Sequence, residues 1–222
     1  MLVYGGVDEF DNILNDIWIL DLNNLIWTRI DVLNNKIMPF LVFHSSTLVL
    51  KSEKKNHPLM NIFKFPEPKL KNINRFENIK NEGVYVFGGK DKLGKYTNEI
   101  RIIKIGKPNL EFINCITTGI PPSARISSSI NFSEEFQFCV VFGGKNEKDI
   151  ILKDIFILLM DTFIWIEVRA FDQLPKRTCE HSSAFYNDTK LIIFGGINTL
   201  KYIGSDIYMI DFGIYCIIFR NF

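Results

Sequence analysis

The stretch from Gly89 to Tyr96 comes closest to a known chemical motif in this sequence of 222 residues. It reads GKDKLGKY, which departs from the phosphate-binding pattern G-x-x-x-x-G-K-[ST] only at its last position. A phosphate-binding loop leads into a helix whose first backbone amides point at the phosphate. Here the apolar residues after Glu99 predict a β-strand instead, and Tyr96 replaces the hydroxyl that would bind Mg²⁺. We therefore predict a loop between two strands and no nucleotide site.

The histidines and cysteines are widely spaced, and none of them forms a C-x-x-C pair or another short metal-binding spacing. Because one of the cysteines, Cys139, lies within an apolar run, we expect it to be a buried, reduced thiol. No Ser/His/Asp arrangement or carboxylate pair stands out either. The sequence therefore predicts no metal site, no cofactor and no catalytic residue. The residues considered are His44, His57, His181, Cys115, Cys139, Cys179 and Cys216.

Charged residues follow three of the four pairs of consecutive glycines, and they could bind a ligand of opposite charge. They are acidic after the first pair, basic after the second and of both signs after the third. Lysine and arginine bind carboxylates through charge-assisted hydrogen bonds, so we predict a rim that selects an acidic peptide. An ordinary charged surface remains the alternative for each residue. The candidate binding residues are Lys90, Lys92, Lys95, Arg125, Lys145 and Arg177.

The overall composition gives no indication of nucleic-acid or membrane binding. The formal net charge is +1, and no apolar run approaches the roughly 18 residues that a membrane-spanning helix needs. The N-terminal residues MLVYGG predict a short strand, since they have no basic start and no long apolar core typical of a signal peptide. Together with the unpaired cysteines, this favours a cytoplasmic, reducing location.

A unit of about 50 residues recurs along the chain. Each glycine pair ends a short run of β-forming residues, and the first glycines of successive pairs are 83, 55 and 52 residues apart. The longest interval contains a Lys- and Asn-rich stretch, residues 51–82, and without it the interval would be 51 residues. The pairs are Gly5-Gly6, Gly88-Gly89, Gly143-Gly144 and Gly195-Gly196.

Two further landmarks keep the same distance from the glycines. An acidic residue followed by isoleucine stands ten residues after the second glycine of every pair, at Asp16, Glu99, Asp154 and Asp206. Two tryptophans, Trp27 and Trp165, both stand 21 residues after the second glycine. Each unit therefore predicts four short strands, which we name a to d, with the glycine pair at the end of strand b. We expect the acid to accept backbone N–H bonds in the following turn and the tryptophan to fill space between units.

Strand a begins with a proline-led segment, which is clearest in the third repeat as Pro122-Ser-Ala-Arg125-Ile-Ser-Ser128. Together with the glycine pairs, the acid-Ile strands and the tryptophans, this pattern resembles the kelch repeat family over all of the chain except residues 51–82. The family's strand-a arginine is present only as Arg125, and its histidine only as His44 and His181.

The resemblance implies an all-β fold, a kelch-type β-propeller of four-stranded antiparallel blades, because stacking such sheets around an axis buries both faces of each. We expect a single domain over 1–222 with repeats at 1–37, 38–118, 119–170 and 171–222, and a disordered insert at 51–82 in the second repeat. The first repeat lacks strand a. The chain is therefore predicted to be part of a larger propeller, completed by further blades or by self-association.

The function that the resemblance implies is that of a non-catalytic scaffold that binds another protein through its propeller loops. The alternative is a regulatory or substrate-recruiting domain of a larger enzyme, such as a kelch-containing Ser/Thr phosphatase or a ubiquitin-ligase adaptor. An oxidase or lyase built on the same fold is a weaker third possibility, which stoichiometric copper or iron in the purified protein would support.

Overall fold

The computed structural model describes residues 1–30, 38–50, 82–104, 110–168 and 175–212, and the regular structure of these residues is entirely β. The predicted insert falls almost wholly on residues 51–81, outside the described ranges, as do His57 and Cys216. The strands are β1 (Leu2–Val7), β2 (Ile13–Leu20), β3 (Trp27–Ile30), β4 (Ser45–Val49), β5 (Gly83–Phe87), β6 (Ile100–Lys104), β7 (Glu111–Asn114), β8 (Thr118–Gly119), β9 (Arg125–Ile126), β10 (Ser129–Ser133), β11 (Phe138–Phe142), β12 (Lys145–Asn146), β13 (Ile155–Leu159), β14 (Ile164–Val168), β15 (Thr178–Cys179), β16 (Ser182–Asn187), β17 (Lys190–Phe194), β18 (Ile197–Asn198) and β19 (Ile207–Asp211).

The longer strands form four antiparallel sheets, one for each predicted repeat, which we call blades 1 to 4. Their strand orders are β1-β2-β3, β4-β5-β6-β7, β10-β11-β13-β14 and β16-β17-β19. Blade 1 has three strands among the described residues. The fourth strand predicted for blade 4 lies outside the described residues. The short strand β8 adds to blade 3 in parallel with β14. The predicted all-β, antiparallel blade architecture is confirmed.

Alternate side chains along each strand pack against the preceding and the following blade, and this packing forms the core. Blades 2 and 3 bury a cluster that includes Phe87, Val141 and Trp165, whose ring centroid lies 5.7 Å from that of Phe87. Blades 3 and 4 bury a second cluster around Phe142 and Leu191, and a third fills the space between blades 1 and 2. Because strands such as β11 and β13 are apolar on both faces, one blade alone could not shield its surface from water.

The glycine pairs lie where successive blades approach each other most closely. The amide of the second glycine donates a 2.9 Å hydrogen bond to the carbonyl of the residue near the start of strand a in the next blade, as Gly144 does to Thr178. A Cβ on the first glycine of this pair, Gly143, would lie only 2.5 Å from the same carbonyl oxygen. At the first glycine of blades 1 to 3, the backbone of the next blade therefore leaves no room for a Cβ, whereas a Cβ at Gly6 would meet nothing within 4 Å.

Backbone hydrogen bonds also link the blades around the axis. Phe43, Ser127 and Glu180 occupy equivalent positions before the inner strands, and each adopts a positive φ between 52° and 58°. The amide of Glu180 donates to the carbonyl of Ser127 at 3.0 Å, and that of Ser127 donates to the carbonyl of Phe43 at 2.9 Å. This left-handed conformation directs each peptide group at the adjacent blade. The segments that precede the first strands of blades 2, 3 and 4 are therefore joined by backbone hydrogen bonds.

Candidate binding surface

The four loops between strands b and c share one hydrogen-bonded geometry. Each has an aspartate or asparagine two residues after the second glycine: Asp8, Asp91, Asn146 and Asn198. In every loop the side-chain Oδ1 of this residue accepts hydrogen bonds from two backbone amides further along, at 2.8 to 3.2 Å. Such Asx turns fix a loop without help from neighbouring segments. This role was not predicted from the sequence, although Asp or Asn recurs at a constant offset from the glycine pairs.

Backbone conformation completes the loop. The residue five positions after the second glycine has a positive φ in all four blades, at Asp11 (63°), Gly94 (84°), Asp149 (57°) and Lys201 (60°). Its amide donates to the carbonyl of the Asx residue at 2.9 to 3.1 Å. Aspartate and glycine tolerate this conformation better than most residues. The loops are therefore preformed, which lowers the conformational entropy that binding would cost.

Large apolar side chains stand at the tips of these loops. The residue four positions after the second glycine is Phe10 in blade 1, Leu93 in blade 2 and Leu200 in blade 4, and all three are strongly exposed. In blade 4 Tyr202 and Ile203 are exposed as well. Apolar residues held on rigid, solvent-facing loops are typical of contact sites for another molecule. From the sequence, only the charged residues of these loops were predicted to bind a ligand.

The predicted basic residues are distributed unevenly around these tips. Lys92, Lys95 and Arg177 are exposed, whereas Lys90 and Lys145 are half-buried. The ammonium group of Lys92 lies 4.6 Å from the centroid of the Phe40 ring. Lys145 forms a 2.9 Å ion pair with Asp149 within its own loop, and the hydrogen bond raises the pKa of Lys145. Two exposed lysines, Lys92 and Lys95, therefore stand beside the exposed Leu93.

Arg125 is not part of this exposed surface, which corrects its inclusion among the candidate binding residues. Its side chain is completely buried. It donates to both carboxylate oxygens of Asp154, at 2.6 and 2.9 Å, to the Gly143 carbonyl at 3.0 Å, and to the carbonyl and hydroxyl of Ser123 at 2.9 and 3.1 Å. All of its donors face inward, so it joins the start of blade 3 to strands b and c.

The repeated acids also differ from the prediction in what they bind. Their carboxylates are hydrogen-bonded by side chains rather than by backbone amides of the following turn. Where strand a supplies no arginine, the donor stands two residues after the acid: the Trp18 indole bonds Asp16 at 2.8 Å and the Tyr208 hydroxyl bonds Asp206 at 3.0 Å. Arg101 bonds Glu99 at 2.5 Å in the same way. The repeated acidic residue can therefore accept its hydrogen bond from an arginine, a tryptophan or a tyrosine side chain.

The buried histidines and the buried Cys139 thiol pack against other side chains. His44 and His181 pack against the aromatic rings of Tyr4 and Phe142, with ring centroids 5.2 Å apart in both pairs, and burial is the main cause that lowers the pKa of each histidine to about 4. The Cys139 thiol is fully buried against the sulfur of Met160 at 3.6 Å, and burial raises its pKa. Within the described ranges, no three His, Cys, Asp or Glu residues are grouped so that they could hold a metal ion. Nor do those ranges contain a helix long and apolar enough to cross a membrane.

Comparison with known proteins agrees with this architecture. Over 197 residues the chain is 25% identical to acyl-CoA-binding domain-containing protein 5 of Arabidopsis thaliana, covering 88% of this chain and 26% of that protein. It is also 25% identical over 134 residues to the host cell factor homolog hcf-1 of Caenorhabditis elegans, of which it covers 17%. The chain thus spans about a quarter or less of the length of these two relatives.

Solved structures show the same fold. The structure of YjhT, a kelch-type propeller protein, superposes with a TM-score of 0.59 at 13% sequence identity, over 96% of this chain and 54% of that one. The family described as the KLHDC2/KLHL20/DRC7 Kelch-repeats domain matches residues 73–215, and this chain belongs to that family of kelch-repeat propellers.

Proposed function

We propose that this chain is a non-catalytic interaction module whose b–c loops bind an acidic protein segment that also carries apolar side chains. The observation that carries the proposal is the fourfold repetition of an Asx-capped loop, which carries an exposed apolar residue at its tip in blades 1, 2 and 4. Kelch repeat domains are generally interaction modules, which supports the same function. A partner would gain apolar burial at the tips and charge pairing beside them.

The charged residues of the second loop support an acidic partner. The Oδ1 atom of Asp91 already accepts the amides of Leu93 and Lys95, so this carboxylate is committed to the loop. The ammonium groups of Lys92 and Lys95 remain exposed on both sides of the Leu93 tip. A carboxylate flanked by an apolar residue matches this arrangement. The first loop keeps Glu9 and Asp11 instead, so an acidic segment is expected to avoid blade 1.

The test uses arrayed peptides that combine aspartate or glutamate with leucine or phenylalanine, beside matched arrays in which lysine replaces the acids. The full chain should prefer the acidic set. The variants Lys92→Glu/Lys95→Glu and Leu93→Ser should each lower its affinity at least tenfold. Arg125 is not among the substituted residues because its side chain is buried. A chain that binds both arrays equally, or variants that bind like the unmodified chain, would refute the proposed surface.

Lys104→Glu serves as the matched control, because Lys104 lies at the far end of strand β6 and forms a partly exposed 3.3 Å ion pair with Glu111. Exposed ion pairs contribute little to stability, so this variant should remain folded. It should also bind the acidic array as the unmodified chain does. Equal losses in the control and in the loop variants would indicate nonspecific attraction to the whole protein.

A second candidate function is recruitment of a substrate or regulator to a larger protein of which this domain is one part. It is favoured by the coverage of 26% of the Arabidopsis relative, whose name assigns an acyl-CoA-binding domain to that protein. The complete transcript should then encode a further domain in frame with these residues. A transcript that encodes only propeller blades would exclude this second candidate and leave the binding surface unaffected.

A further inference from the structure

The two terminal blades each have an apolar face that no other part of the described structure covers. On blade 4 this trailing face contains Phe194, Ile207 and Met209, which are 53%, 69% and 58% exposed. On blade 1 the leading face contains Val3, Trp18 and Trp27, which are 41%, 36% and 46% exposed. Solvent-exposed apolar clusters of this kind mark contact surfaces.

The trailing face is equivalent to a surface that is buried elsewhere in the same molecule. Phe142, Ile155 and Ile157 occupy the same repeat positions in blade 3, and they are 0%, 1% and 2% exposed. They belong to the cluster that packs on Leu191 and Ile193 of blade 4. The trailing face therefore has the same apolar character as a surface that packs against the next blade.

The leading face is the counterpart. Its equivalents in blade 3 are Val141, Phe156 and Trp165, which are buried in one cluster with residues of blade 2. Trp165 and Trp27 stand at the same distance from their glycine pairs, yet among the described residues Trp165 packs against the Phe87 ring while Trp27 stays 46% exposed. The leading face thus has the form of a surface that covers the preceding blade.

The trailing and leading faces are equivalent to the two sides of the contact between neighbouring blades. Each is therefore complementary to the other face and not to itself. We propose that the trailing face of one copy packs against the leading face of a second copy, in a head-to-tail contact that follows the packing of blades 3 and 4. Such a contact is heterologous and closes only if the rotation between the copies completes a ring.

Two copies of these 222 residues match the size of one closed propeller. The chain superposes on 54% of the YjhT chain, so two copies contain about as much propeller as that one protein. Each copy would then use both of its faces, and the dimer would leave no terminal apolar face exposed. A single blade-to-blade contact without closure would extend into open chains of copies.

The test measures the mass of the full 222-residue chain in solution by light scattering and sedimentation, from low to high micromolar concentration. The unmodified chain should have twice the mass of one copy. Ile207→Lys/Met209→Lys, which alters the trailing face, and Val3→Lys/Trp27→Lys, which alters the leading face, should each be monomeric. Mixing the two variants should restore a one-to-one dimer, because each retains the face that the other lacks.

The control is Leu93→Lys, which places the same charge on an exposed loop tip and should leave the dimer intact. Cross-linking of a Val3→Cys copy to a Met209→Cys copy keeps the test decisive if the lysine variants do not fold. A chain that stays monomeric throughout, as further blades within one polypeptide would require, overturns the proposal. So does a mixture of the two variants that fails to associate, or a variant that dimerises alone.

Discussion

Arg125 and Asp154 form a two-point ion pair that ties the start of blade 3 to its strand c. The distances are 2.6 Å from Nη1 to Oδ1 and 2.9 Å from Nη2 to Oδ2. The arginine side chain is fully buried, whereas 29% of the aspartate side chain remains accessible. The two partners therefore depend on the pair to different degrees, because water can reach only the carboxylate.

We expect Asp154→Ala to destabilise the fold more than Arg125→Leu. Removing one partner of a buried pair typically costs about 3–5 kcal/mol, because the other charge stays buried without compensation. Asp154→Ala leaves such a charge on Arg125. Arg125→Leu leaves a partly hydrated carboxylate, and Leu41 already fills the equivalent buried position in blade 2. Urea unfolding of the two variants measures the difference.

The double variant Arg125→Leu/Asp154→Ala separates the ion pair from the packing around it. If the buried charge causes the loss, the double variant should be more stable than Asp154→Ala alone. Additive losses would instead mean that the two residues act independently, and the ion pair would not explain the destabilisation.

Gly143 and Gly195 have similar backbone conformations but different space around them. Replacing each by alanine therefore tests how closely neighbouring blades approach. Their φ values are 62° and 70°, so alanine introduces similar strain of about 1–2 kcal/mol at both sites. At Gly143 the new Cβ would lie 2.5 Å from the Thr178 carbonyl oxygen, whereas at Gly195 its nearest neighbour is 3.2 Å away, the Gly204 carbonyl oxygen. Gly143→Ala should therefore lower the melting temperature much more than Gly195→Ala. Equal shifts would show that backbone strain alone selects glycine.

Trp165 and Trp27 provide the corresponding test for packing between blades. Truncating a buried tryptophan typically costs about 3–5 kcal/mol, and Trp165 is only 2% exposed. Trp27 is 46% exposed at the same repeat position, so Trp27→Ala should cost far less than Trp165→Ala. The comparison is made by denaturant unfolding at protein concentrations low enough for the chain to be monomeric. A similar loss in both variants would contradict the assignment of Trp27 to an uncovered face.

The fold could be predicted from the sequence because its signals are local and repeated. The β-forming run before Gly143, the acid at Asp154 and the tryptophan at Trp165 keep fixed offsets, so one blade fixes the interpretation of the others. Strand order follows, since short connections place consecutive strands side by side. The burial of Trp165 follows in turn from stacking of the blades.

The binding surface was harder to predict because burial depends on contacts that are distant in the sequence. Arginine is rarely fully buried, so a composition argument places Arg125 on the surface. What buries it is Asp154, 29 residues later, together with the Gly143 carbonyl. The caps at Asp91 and Asn198 were also missed, because a single Asp or Asn in a charged loop resembles ordinary solvated surface. Only the shared geometry of all four loops shows their role.

The stability of the fold should fall on acidification between about pH 6.5 and pH 4, and His181 should account for part of the fall. Burial lowers the pKa of His181 to about 4, whereas an unfolded histidine keeps a pKa of about 6.5. Between these values the unfolded chain binds more protons than the folded chain, so the free energy of unfolding decreases as the pH falls. Acidification from pH 7 to pH 4 should therefore cost on the order of 3 kcal/mol through this residue.

Replacing the histidine by a side chain that does not titrate distinguishes this cause from general acid denaturation. His181→Gln should lower stability at pH 7, because the 2.9 Å contact between the histidine Nε2 and the Ser129 hydroxyl is lost. It should also make the free energy of unfolding depend less steeply on pH. Adding His44→Gln should reduce this dependence further, since burial lowers the pKa of His44 to about 4 as well. Urea unfolding followed by tryptophan fluorescence at several pH values gives the slopes. If both variants lose stability on acidification as steeply as the unmodified chain, carboxylate protonation and not histidine burial controls acid unfolding.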